Sequence, residues 1–150
     1  MPAKTQTTAK KQGFEAAFRG LRRILRPYDK KLRVIKDGPS GYMSESKSIR
    51  YLGKPVMFAA ITSKSYVSFH LFPVYVFPDL VKKISPDLKK RMQGKTCWNF
   101  KEPEEPLFDE LGELVEASFR RFAELGERNL SREDAQALWG KAQGRKDKKN

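Results

Sequence analysis

Two breaks of only two residues each, Gly53-Lys54 and Ser63-Lys64, separate three β-prone runs, Ser46–Leu52, Pro55–Thr62 and Ser65–Leu71. A parallel connection needs a dozen residues or more, so these runs must be neighbouring antiparallel strands of a meander. Pro55 has no backbone N–H, which predicts a four-residue loop at the first turn. Lys31–Lys36 and Thr96–Phe100 are candidates for one or two further strands. Asp37-Gly38-Pro39-Ser40-Gly41 is dense in turn formers and predicts a loop.

Helical periodicity flanks this sheet. From Gly13 to Arg26 the residues Phe14, Ala17, Phe18, Leu21, Ile24 and Leu25 share one side at ~100° per residue, and Pro27 ends the pattern. Asp79–Ile84 predicts a short helix. Ser85 is a good N-cap with Pro86 at the first helical position, and Gly94 is a natural stop. Pro106 opens a long helix to about Leu125 with Phe108, Leu111, Val115, Phe119 and Phe122 inward. Ser131 caps a last helix, Arg132–Trp139. The order is that of an α+β protein, a small antiparallel sheet packed against N- and C-terminal helices. One domain over 13–139 is expected, with 1–12 and 141–150 as flexible basic tails.

Alternation along the strands then sorts the side chains. The turns expected above set Arg50 opposite Met57, Ile49 opposite Phe58, Met57 opposite His70 and Phe58 opposite Phe69. One face becomes Ile49, Tyr51, Val56, Phe58, Ala60, Val67, Phe69 and Leu71, which must be core. The other carries Ser48, Arg50, Met57, Ala59, Ile61, Tyr66, Ser68 and His70, apolar surface with a few convergent polar groups. That mixture suits a small ligand or a protein segment. On this reading Arg50 engages an anion, Met57 and Ile61 give apolar contact, and Tyr66, Ser68 and His70 orient polar groups.

Charge is the other strong feature. The chain carries 31 Lys and Arg against 18 Asp and Glu, a net of +13. It is uneven: residues 102–134 hold 11 acids and 4 bases. A basic chain of this kind fits solubility or non-specific association with nucleic acid. The basic residues Arg19, Arg22, Arg23 and Arg26 lie opposite the apolar side of the first helix and are the candidates for gripping phosphates. No helix-turn-helix or ribonucleoprotein signature accompanies them.

Several chemistries lack their residues. With one cysteine, Cys97, no intramolecular disulfide or Cys-rich metal site is open to the chain. There is no Gly-rich phosphate loop, His-Glu-x-x-His or EF-hand pattern, and His70 is the single histidine. No acid, thiol or hydroxyl stands at a diagnostic spacing from it, so a structural histidine in a non-enzymatic protein is expected, with no cofactor. No apolar run approaches the ~20 residues of a membrane span, and the start has no apolar stretch of a secretory signal, so a cytoplasmic protein without membrane association is expected.

The segments Gly53-Lys54-Pro55-Val56-Met57-Phe58-Ala59-Ala60 and Tyr66-Val67-Ser68-Phe69-His70-Leu71-Phe72 resemble the YdhG-like domain-of-unknown-function family of small bacterial proteins. There a Gly-Lys-Pro turn leads into an apolar strand, and a strand ending in an aromatic and histidine follows. The resemblance spans about 14–125. It implies an α+β fold, a cytoplasmic bacterial protein and no established catalytic residues. It also implies, as an alternative, frataxin-like iron handling through acidic surface residues, here Glu104, Glu105 and Asp109. This chain departs from that role in its basic first helix.

Overall fold

A computed structural model describes residues 2–39, 41–135 and 137, with the side chains of 2–8 and 135 outside the description. The fold is α+β. Helix α1 (Pro2–Leu25) leads through a 3₁₀ turn at Arg26–Tyr28 into strands β1 (Leu32–Gly38), β2 (Gly41–Tyr51), β3 (Lys54–Ser63) and β4 (Val67–Leu71). Short helices α2 (Pro73–Val76) and α3 (Pro86–Lys90), with a 3₁₀ turn at Pro78–Val81 between them, precede β5 (Cys97–Phe100). Helix α4 (Glu105–Leu125), strand β6 (Arg128–Leu130) and helix α5 (Arg132–Ala135) follow. The sheet runs β1-β2-β3-β4-β5 with antiparallel neighbours, and β6 adds to β2 in parallel.

The central meander forms as expected, and three details differ. First, β2–β3 closes on a two-residue turn with Tyr51 opposite Lys54. Leu52 and Gly53 take φ of 51° and 83°, the type I′ signature. Pro55 is tolerated because it lies opposite Arg50, next to the closing pair, where a hairpin of this type needs no cross-strand N–H.

Second, Phe58 is a bulge: Glu45 pairs Met57, but Ser44 pairs Ala59. A one-residue bulge reverses every later side chain. Ala59 and Ile61, expected on the mixed face, therefore lie in the core at 0% exposure, and Ala60, expected in the core, moves to the other face opposite His70, where it is still buried at 3% exposure. Phe58 and Phe69 are core residues, as the alternation predicts.

Third, the expected loop at 37–41 is shorter than its composition suggests. β1 runs to Gly38, β2 starts at Gly41, and Gly38 pairs Gly41. β2 also bulges over Ser46–Ile49, where the buried Ser46 hydroxyl accepts from the N–H groups of Ser48 (3.2 Å) and Ile49 (3.0 Å).

The helices cover one face. Helix α1 begins at Pro2, so the segment 2–12 expected as a tail belongs to that helix. The expected tail 141–150 and the end of the last helix lie outside the described residues. Gly20 lets α1 approach α4, since a Cβ there would stand 2.7 Å from the Phe108 ring. Phe58, Phe119, Phe122 and Tyr28 form an aromatic cluster with centroids 5.0–6.5 Å apart. Ser85 caps α3 by accepting from Leu88 N–H (3.1 Å), and the Glu110 carboxylate on α4 accepts from both Ser85 N–H (2.6 Å) and its hydroxyl (2.7 Å).

Candidate functional site

The sheet face turned away from the core is built from two cross-strand rows. Thr62, Ser68 and Asn99 stand side by side on β3, β4 and β5, and Met43, Ala60, His70 and Cys97 stand beside them on β2 to β5. Their inward neighbours Ile61, Phe69 and Trp98 are fully buried with the apolar sides of α1 and α4. Thr62, Ser68, His70, Cys97 and Asn99 themselves are half-buried.

Polar groups in these rows are linked. Thr62 Oγ1 lies 3.3 Å from His70 Nε2. The Asn99 Oδ1 atom accepts from Ser68 Oγ at 2.6 Å and from Cys97 Sγ at 3.6 Å. Burial lowers the pKa of His70 and raises that of Cys97, the latter partly offset by a hydrogen bond with Ser68. Both are therefore neutral at pH 7. A thiol made less acidic beside an imidazole made less basic opposes proton transfer between them, the reverse of an activated nucleophile.

Asn99, at the β5 end of the first row, also lines a cleft of about 390 Å³. The turn at Gly94 (φ 78°) folds residues 91–93 back along β5, with Gln93 N–H on Cys97 O and Asn99 N–H on Arg91 O, both 2.8 Å. This strap brings Lys90, Arg91 and Gln93 to Tyr66, Asn99 and Lys101. Arg91 and Glu104 form a bidentate ion pair (2.7 and 2.8 Å) along one wall. The Lys101 ammonium stands 5.5 Å from the Tyr66 ring centroid, and Tyr66 is 40% exposed.

Of the expected binding residues, Ser68 and His70 share the outer rows and Tyr66 lines the adjoining cleft. Met57 pairs Glu45 rather than Arg50 or His70. Arg50 lies opposite Pro55 and beside Asn129 of β6. Ala60, the partner of His70, lies five positions after Pro55 on β3, so Arg50 and His70 stand roughly 15 Å apart along the strand. Asn99, Cys97, Thr62 and Lys101 were not expected. They follow from the true register and from the strap on β5, and neither carries a local signal.

The other candidate sets are also dispersed or reassigned. Arg19 and Arg23 are exposed on α1 and Arg26 on the 3₁₀ turn after it, but Arg22 is 4% exposed and does not belong to the outer stripe. Its guanidinium bonds Asp29 and Asp37 and lies 4.3 Å from the centroid of the Tyr42 ring. Glu104 is engaged by Arg91, and Glu105 and Asp109 are exposed on the first turns of α4. Among the described residues, no three His, Cys, Asp or Glu side chains come together to hold a metal ion, and no helix is long and apolar enough to cross a membrane.

Comparison supplies no relative. Protein-family models, curated proteins and solved structures all give no match to this chain.

Proposed function

We propose that the protein is a non-enzymatic binding domain of the YdhG-like kind, cytoplasmic and bacterial, that docks a small organic anion on the outer sheet face and its adjoining cleft. One observation carries the reading. The half-buried row Thr62–Ser68–Asn99 meets, at Asn99, a concave space within the ~300–1,000 Å³ of typical ligand sites. Both hydrogen bonds on the Asn99 amide end on its oxygen, so the amide NH₂ is the donor offered to a ligand. Lys90 and Lys101 supply charge, Tyr66 a flat apolar surface and His70 a neutral ring. Burial makes the Cys97 thiol less acidic, the reverse of an activated nucleophile.

A thermal-shift screen against small carboxylates and phosphates tests the proposal. The expected result is a compound that stabilises the wild type and loses its effect in N99L and K101E, through the linkage of binding to unfolding. Compounds that stabilise wild type, N99L and K101E equally, or none at all, would overturn it.

A further inference from the structure

A second surface, separate from the sheet face, lies between α1 and the β1–β2 hairpin. Two hollows of about 400 and 410 Å³ adjoin there and share Glu15, Phe18 and Pro39. Their floor is apolar, with Phe14, Phe18 and Pro39, and their rim is cationic, with Lys10, Lys11, Arg19, Arg23 and Arg26. Arg19 and Arg23 recur at i and i+4 on one side of α1, and Arg26, the first residue of the 3₁₀ turn that follows, lines the same hollow. None of these five cations forms an ion pair with a carboxylate among the described residues. Asp37, which lines one hollow beside the arginines, is already committed to Arg22 at 3.0 and 3.1 Å.

We propose that this groove binds single-stranded nucleic acid. The cationic rim draws a polyanion, and the Phe14 ring favours nucleic acid over an acidic protein segment. The arginine rim offers planar forks that match phosphate oxygens bidentately. Phe14, half-buried in the floor, gives a ring on which a base can stack, and each hollow has the size of a site for a nucleotide-sized ligand. Glu15, exposed between the two hollows, repels any anion placed beside it but accepts from the exocyclic amine of a base. A membrane surface fits less well, because the apolar side of α1 (Ala17, Leu21, Leu25) is buried in the core and has nothing to insert.

Fluorescence anisotropy with a labelled single-stranded DNA of mixed sequence tests the proposal. R19E/R23E is expected to weaken binding about tenfold or more and to lower the salt slope by about 1.4. K82E/K83E, which reverses two exposed lysines elsewhere, should leave the slope nearly unchanged. F14L keeps the buried apolar contact but removes the ring. It should weaken the oligonucleotide about fivefold while leaving inorganic polyphosphate binding unaltered. The proposal is overturned if R19E/R23E binds as the wild type does, if F14L affects the oligonucleotide and polyphosphate alike, or if polyglutamate binds as tightly as the oligonucleotide. That last result would assign the groove to an acidic protein.

Discussion

The Arg22 guanidinium meets the Asp29 carboxylate in two parallel hydrogen bonds of 2.7 and 3.1 Å, and its other edge holds Asp37 at 3.0 and 3.1 Å. One side chain on α1 thereby fixes the turn after the helix and the far end of β1. The Arg22 pKa is pushed upward by the two carboxylates against the opposing effect of burial. The guanidinium also lies over Tyr42, which is 1% exposed.

Truncating Arg22 leaves two carboxylates without their cation and opens the space over Tyr42. Asp29 and Asp37 are 30% and 50% exposed, so water recovers part of the loss. R22A is expected to cost about 2–3 kcal/mol, below the range for a fully buried pair. R22K, which keeps charge but loses the fork, should fall between. R23A, at an exposed site, should stay within about 0.5 kcal/mol of wild type. Urea midpoints at constant m measure all three.

Acid sensitivity follows from the same chemistry. Hydrogen bonds from Arg22 hold the Asp37 carboxyl below its ordinary value, and Arg121 does the same to Asp79. A depressed folded-state pKa means stability that is complete above the unfolded value and lost as pH falls through the folded one. The thermal midpoint of the wild type should therefore fall as pH drops below about 4. D79N should start lower at neutral pH and converge on the wild type in acid. Parallel curves at every pH would contradict this.

His70 titrates in the opposite sense to a salt-bridged histidine. Burial lowers its pKa, so the unfolded chain takes up the proton first as pH falls. Stability should therefore rise with pH through the window below the ordinary 6.5 and level off above it. An imidazole resonance titration should give a midpoint below that value, and H70Q should flatten the stability curve over the same window.

The β2–β3 turn contains removable strain. Leu52 adopts φ 51° while 50% exposed, a conformation that costs a non-glycine residue roughly 1–2 kcal/mol and that asparagine bears more easily. L52N creates an Asn-Gly turn without emptying the core, and calorimetry should show Tm rising by about 2–4 °C. G53A, which forces a Cβ onto φ 83°, should lower it.

Much of this architecture is legible in local patterns. The α1 and α4 periodicities, the Ser85 cap and the burial of Phe58 and Phe69 all follow from spacing and turn chemistry, although Phe69 pairs Ile61 rather than Phe58. The departures come from terms that spacing does not carry. A bulge at Phe58 reversed Ala59, Ala60 and Ile61, and only tertiary packing of that ring selects it. Leu52 in a left-handed turn runs against its own propensity, and the partner that steadies Gly53 is Asn129, whose Oδ1 accepts its N–H at 2.8 Å. Strand β6 is three residues long and has no period to detect. Arg22 reads as one more surface arginine until Asp29 and Asp37 fold back onto it. Of the expected site, Ser68, His70 and Tyr66 lie on or beside the outer face, while Asn99 joins Ser68 through the pairing of β4 with β5, and the strap along β5 adds Lys90 and Arg91 to the cleft.

The most direct measurement of the binding account is an amide chemical-shift map of the isotope-labelled full chain, titrated with mixed small organic anions. The account predicts shifts concentrated at Tyr66, Ser68, His70, Cys97, Asn99 and Lys101, saturating together. Shifts confined to other surfaces, or no saturable shift at these six residues, would contradict it.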